Sequence, residues 1–170
     1  MSPVLVVDAY NVIHDWWSPG NSLELGMCRD RLLGDLASYA AMQQVRTIVV
    51  FDAHQVPTKA VQESHSGLEV HYSAADETAD TVIERLCFTL CDAGETVTVA
   101  TSDRLQALVV FGKGVYRLSA RSLLKEVDRS REEARQATKA KKRQEKSVRL
   151  EHTLDDETRA KLEKLRRQGQ

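Results

Sequence analysis

Three aspartates, Asp8, Asp52 and Asp103, each close an apolar run rich in β-branched residues. The runs read Val-Leu-Val-Val-Asp8, Thr-Ile-Val-Val-Phe-Asp52 and Thr-Val-Thr-Val-Ala-Thr-Ser-Asp103. Such short runs suit strands buried on both faces of a parallel sheet, and open α/β sheets bind ligands at the carboxyl ends of their strands. A fourth acidic feature, Asp76-Glu77-Thr78-Ala79-Asp80, opens a helical pattern. Glu77 and Asp80, three apart, are expected on one side of its first turn. Acidic residues there also complement the helix dipole, worth about 0.3–1 kcal/mol each, so this feature alone has a structural explanation. The three strand-end aspartates do not. Four carboxylates sharing one crevice repel unless some stay protonated or a cation joins them. A hard divalent cation such as Mg2+ takes one or two carboxylates, keeps several waters and leaves room for a phosphate. A second ion about 3.5–4 Å away would complete the clamp used by nucleases. Asp8 and Asp80 are the first candidates for metal ligation and catalysis, Asp103 the next. Asp52 ligates, acts through water, or stabilises its own loop.

The elements that position these groups follow from periodicity. After the first strand, His14–Asn21 carries turn residues and is expected to be a loop, with at least one of Trp16 and Trp17 structural because a tryptophan holds so much apolar area. Apolar residues from Leu23 to Gln43 recur at helical spacing and return the chain to the second strand. Residues 53–68 show weak periodicity and read as a mobile connection. A short strand is expected at 68–72, a helix from about Asp76 to Asp92 stopped by Gly94, and a strand at 96–101. A short helix through 105–109, a Gly112-Lys113-Gly114 turn and a strand at 115–118 come next. Ser119 is the expected cap of a helix whose apolar stripe ends at Val127, beyond which the chain is expected to project or fray. The final amphipathic segment has Thr153 as its candidate cap and carries Leu154, Leu162 and Leu165. The fold class is thus α/β, with residues 1–127 as the globular domain and 128–170 as a basic helical extension.

Charge divides the same way. The net charge of −1 conceals a body, residues 1–116, at −8, a stretch 117–150 at +7, and a balanced tail. An acidic body suits cation binding, and a basic arm suits an anionic polymer. Along it, Arg117, Arg121, Lys125, Arg129, Lys139, Lys141, Lys142 and Arg143 can follow a phosphate backbone by charge, the bland alternative being a solvated helix face. No aromatic residue falls in 117–150, so base stacking is not expected there. Cys28, Cys87 and Cys91 lack metal-type spacing and suit core packing in a reducing compartment. No stretch approaches the ~20 apolar residues of a membrane span, and no secretory signal pattern opens the chain. The expected location is the cytoplasm, or the plastid stroma where a targeting segment has been removed.

Asp8-Ala9-Tyr10-Asn11, Phe51-Asp52-Ala53-His54, Glu77-Thr78-Ala79-Asp80 and Thr101-Ser102-Asp103 together resemble the YacP-like subgroup of NYN domains, a PIN-like nuclease fold. Gly112, Ser119-Ala120-Arg121 and the Leu-Leu-Lys-Glu that follows extend the resemblance, which covers about residues 3–128. Ala9 departs from it, since the family usually has glycine there. The resemblance implies a three-layer α/β/α PIN-like domain with a mainly parallel sheet and a Mg2+- or Mn2+-dependent acidic centre cutting single-stranded RNA internally. It also implies water activated for in-line attack on a phosphodiester, leaving 5′-phosphate and 3′-hydroxyl ends. Asn11 and Ser102 then hydrogen-bond substrate, water or the ligating carboxylates, or else serve the turns they sit in. His54 orients Asp52 or touches RNA, and Glu77 supports the centre. Bacterial relatives of this kind are associated with mRNA cleavage on ribosomes, which implies the ribosome as a partner of the basic arm. A dinucleotide-binding enzyme is disfavoured because no Gly-x-Gly-x-x-Gly follows the first strand. A small-molecule phosphohydrolase leaves the arm without a purpose. The remaining alternative is an RNA- or ribosome-binding module with a vestigial acidic site.

Overall fold

A computed structural model describes residues 3–52, 62–102, 114–153 and 156–167. It builds a six-stranded sheet from β1 (Pro3–Asp8), β2 (Arg46–Phe51), β3 (Gln62–His65), β4 (Leu68–Tyr72), β5 (Thr96–Ala100) and β6 (Val115–Leu118). The spatial order is β3-β4-β2-β1-β5-β6, and every pairing is parallel except β3 with β4. The helices are α1 (Ala9–Trp16), α2 (Ser22–Gln43), α3 (Ala79–Asp92), α4 (Ala120–Thr153) and α5 (Asp156–Arg167). Successive strand residues point to opposite faces, so one continuous apolar strand can feed two cores. Leu5, Val7, Val49, Phe51, Val70 and Ala100 pack beneath α1, α2 and the start of α4. Val4, Val6, Ile48, Val50, Val97 and Val99 pack against α3. The result is the expected three-layer α/β/α arrangement with a mainly parallel sheet.

Several expectations are corrected. The loop expected at His14–Asn21 is helix as far as Trp16 and irregular from there: α1 begins at once after Asp8 because Asp8 caps it, its Oδ1 accepting from Asn11 N at 3.4 Å, and because Val12 and Ile13 are fully buried. Trp16 is structural as expected, its Nε1 donating to the Ala120 carbonyl oxygen at 2.8 Å and so tying α1 to α4. A strand unsuspected in the 53–68 connection, β3, forms a hairpin with β4. Ser66 and Gly67 turn it with φ of 50° and 85°, the backbone of a type I′ turn. Gln-Glu-Ser-His carries no apolar alternation, so only the Ser-Gly pair announced it. The helix expected from Asp76 starts at Ala79, capped by the Thr78 hydroxyl accepting from Thr81 N at 3.3 Å. Gly94, at φ 82°, follows the end of that helix as expected. The connection 53–61, the helix expected at 105–109, the Gly112-Lys113 turn and Leu154 lie outside the described residues.

Ser119 caps α4 through Ser122 N at 3.1 Å. The helix does not fray after Val127 but continues to Thr153, a sequence of strong helix formers with no glycine or proline. The chain divides into two compact units, residues 1–130 and 131–170. In the first, Ala120, Leu123 and Val127 enter the core beneath α1, and Ser130 is buried with its hydroxyl donating to Met42 Sδ at 3.3 Å. The second holds the rest of α4 and all of α5, and its side chains from Arg135 to Ser147 are exposed. No described helix is long and apolar enough to cross a membrane. Cys87 is buried on α3, and burial pushes its thiol up to about 12, so it is an inert core residue.

At the amino ends of β2 and β4, Arg46 and Glu69 form a bidentate pair at 2.6 and 3.0 Å. The Arg46 guanidinium holds the Glu69 carboxyl below its ordinary value. A depressed carboxyl contributes stability above its unfolded pKa and loses it as pH falls through the folded one. Both side chains are partly in water, so Glu69→Gln is expected to cost only about 0.5–1 kcal/mol at pH 7. That gap should narrow as pH falls below the ordinary carboxylate range and Glu69 takes up a proton. Thermal melts of both proteins across this range check it, and a gap independent of pH would assign the loss to packing.

Candidate active site

The site is assembled by the carboxyl ends of parallel strands. Asp8 ends β1 opposite Val50 of β2, and Asp52 lies two residues further along, about 7 Å in strand geometry. Side-chain alternation puts Asp8 on the face of Val4 and Val6, which α3 covers. Asp80 sits in the first turn of α3, whose N-terminus follows the carboxyl end of β4. Asp8 is buried, Asp52 half-buried and Asp80 exposed. Three of the four expected aspartates therefore stand at the same end of the sheet. Asp103, which follows the end of β5 by three residues, and His54 lie outside the described residues.

Asn11 and Ser102 meet each other. The Asn11 carbonyl oxygen accepts from Ser102 N at 2.7 Å and from the Ser102 hydroxyl, across 91 positions of sequence. This clasp pins the first turn of α1 to the chain leaving β5. Between the two roles read from sequence, substrate contact or turn chemistry, the geometry adds a third, which is cross-linking two strand ends. Glu77 departs from expectation. It precedes α3 rather than opening it, and its carboxylate is engaged by both Nη groups of Arg85, the second at 3.4 Å. Its role is to brace the entry to α3. Ala9 is the first residue of α1 and does not have a positive φ, so alanine meets no strain where the family usually has glycine.

The other face of this edge carries groups that periodicity did not single out. Phe51 and Tyr72, register partners on β2 and β4, stack with centroids 5.4 Å apart, and Tyr10 meets Phe51 edge-on at 5.3 Å. The Arg29 guanidinium lies 5.1 Å from the Phe51 ring centre and 5.8 Å from that of Tyr72, and its Nη2 donates to the Tyr72 hydroxyl at 3.1 Å. Burial raises the Tyr10 hydroxyl above its ordinary pKa; the Arg29 charge opposes the rise, and Tyr72 and Asp52 add to it. The Tyr10 hydroxyl thus lies within reach of both the Arg29 and the Asp52 charges. An arginine four positions before Leu33 reads in sequence as one more polar residue of an amphipathic helix. Only the pairing of Phe51 with Tyr72 gives it a place.

Chemically the donors at the sheet edge are oxygens, which suits a hard cation rather than a soft one. Among the described residues, no three His, Cys, Asp or Glu side chains form a cluster that would enclose a metal ion. One or two carboxylates and a shell of water are what such an ion ordinarily takes, and Asp8 and Asp80 are side chains of that kind.

Fold and site together define a three-layer α/β/α domain with a mainly parallel sheet and acidic residues at the carboxyl ends of its strands. A family model for the YacP-like NYN domain matches residues 5–167, and the chain belongs to that family. It is 39% identical over 129 residues to the uncharacterised protein YacP of Bacillus subtilis strain 168, covering 74% of this chain and 75% of that one. The crystal structure of Rae1 (YacP) from Bacillus subtilis superposes with a TM-score of 0.72 at 33% identity, covering 96% of this chain and 94% of that one. The crystal structure of a tryptophan-to-leucine point mutant of the same protein gives 0.71 at 32%, covering 97% and 99%.

Proposed function

We propose that the protein is a metal-dependent endoribonuclease that cleaves single-stranded RNA, mRNA included, in association with ribosomes. The observation that carries this reading is the placement of Asp8, Asp52 and Asp80 at one end of a parallel sheet, with Asn11 clasped to Ser102 beside them. Asp8 and Asp80 would hold Mg2+ or Mn2+, with Asp103 as a further ligand and Asp52 alongside. The ion, when bound, would activate water for in-line attack on the phosphodiester and neutralise charge on its oxygens. The chain's own contribution is positional. The α1 cap fixes the Asp8 carboxylate, the Asn11–Ser102 clasp holds the first and fifth strand ends together, and the Glu77–Arg85 pair steadies the turn that delivers Asp80. His54 is assigned to orienting Asp52. The cytoplasm, or the plastid stroma, is the compartment that accords with three free cysteines.

The basic arm supplies the polymer contact. Arg117, Arg121, Lys125 and Arg129 are exposed in the first unit, and Lys139, Lys141, Lys142 and Arg143 are exposed in the second. Replacing the last four by glutamine in the full chain is expected to weaken RNA binding and to flatten its dependence on salt. Four lost phosphate contacts would reduce the slope of log affinity against log salt by about 3. An unchanged slope in fluorescence anisotropy would return the arm to a solvated helix face. The function itself is tested by incubating mRNA with the protein in Mg2+, in Mn2+ and in EDTA, both naked and during reconstituted translation. Internal cuts that need the metal support the nuclease, and cuts that appear only during translation support its action on the ribosome. Binding without cutting in every condition would favour the non-catalytic binding module.

A further inference from the structure

Arg29 is a half-buried cation without a carboxylate partner among the described residues. Its Nε is buried without an acceptor, and its one hydrogen bond goes to the neutral Tyr72 hydroxyl. Other arginines of the first unit differ. Arg46 and Arg85 each engage a glutamate through two nitrogens, and Arg31 lies near Asp35 at 3.9 Å while stacking on Trp17. Buried or half-buried arginines are ordinarily paired, because a guanidinium is costly to desolvate and its planar fork matches carboxylate or phosphate.

Its location narrows the missing partner. Phe51 and Tyr72 form the last register pair of β2 and β4, and Asp52 follows Phe51 directly. The guanidinium resting on those two rings is therefore held at the carboxyl end of the sheet, on the opposite face from α3. The Arg29 and Asp52 charges both act on the Tyr10 hydroxyl, in opposite senses. A side chain pinned by two rings and one hydrogen bond has lost most of its rotamer freedom before any ligand arrives, which is how a binding group is preorganised. The net charge of the surrounding body is negative, so one fixed cation at the carboxyl end of the sheet would be a local exception where an anionic substrate must enter.

We propose that Arg29, seated on Phe51 and Tyr72, binds a backbone phosphate of the RNA next to the acidic centre and so sets the strand's register for cleavage. This rests on the reading of that sheet edge as a ribonuclease site, and it assigns the site's phosphate contact to α2. With Nε buried, a phosphate there would accept from the Nη groups while the ring stack keeps the fork in plane.

The test uses the full chain in an Asp8→Asn background, so that a fluorescein-labelled oligouridylate stays intact, and compares Arg29 with Arg29→Met and Arg29→Lys. Arg29→Met is expected to weaken binding about tenfold and to reduce the magnitude of the salt slope by about 0.7, the loss of one phosphate contact on a single strand. Arg29→Lys should keep the slope and, in the Asp8-containing protein, lower kcat/KM through loss of the planar fork. A folded Arg29→Met protein with wild-type affinity and slope would overturn the proposal and leave Arg29 as a packing cation. Should Arg29→Met melt before it can be measured, unaltered kinetics in Arg29→Lys would overturn it equally. The nuclease reading fails separately: wild type that never cuts, yet binds in an Arg29-dependent way, would retain the phosphate contact and lose the reaction.

Discussion

Asp8→Asn is expected to lower metal-dependent RNA cleavage by about a thousandfold, some 4 kcal/mol of transition-state stabilisation, while leaving the melting temperature nearly unchanged. The two halves of that expectation have separate causes. Asparagine is as good a helix N-cap as aspartate, so the bond from Asn11 N that starts α1 survives. What goes is a negative oxygen at the end of a strand buried on both faces, where a cation's charge is poorly screened by water. Asp80→Asn should lose activity similarly. It lies on an exposed first turn, where the dipole contribution forfeited is only about 0.3–1 kcal/mol. Single-turnover cleavage with Mg2+ titrated from zero is the measurement, alongside a thermal melt. Normal turnover in Asp8→Asn would remove that carboxylate from the mechanism, whereas loss of activity together with loss of fold would show only that the cap had failed.

Leu123→Ala is expected to destabilise the first unit by about 3–5 kcal/mol, a fall of roughly 10 °C in melting temperature. Leu123 is fully buried with Ala120 and Val127 against the core of α1 and α2, where a deleted side chain leaves a cavity that rigid strands below cannot fill. The contrast is Leu165→Ala in the second unit, where the leucine is 67% exposed and the change should be within about 0.5 kcal/mol. The comparison separates the part of α4 that belongs to the globular body from the part that carries charge. Denaturant melts of both variants read it. A shift below about 2 °C for Leu123→Ala would mean that α4 begins outside the cooperative unit.

The three parallel strands ending at aspartate were legible in the sequence, because a strand buried on both faces must be continuously apolar and the first charged residue has to fall where the sheet ends. The helix 22–43, the stop at Gly94 and the Ser119 cap were legible for the same kind of local reason, since periodicity and capping need only neighbours. Where local signals were weak or double-edged, tertiary structure decided. Glu77 carries the same spacing to Asp80 whether or not it is helical, and only the structure pairs its carboxylate with Arg85, eight residues on. β3 pairs through backbone alone on a sheet edge and so needs no apolar pattern. The Asn11–Ser102 clasp joins residues 91 apart, and Arg29 acquires its rings only when β4 lines up beside β2. The sequence by itself determined which residue types stand at the end of the sheet, because burial dictates composition locally. Which of them meet depends on strand order and register, and those are decided only when the two cores close on the sheet together.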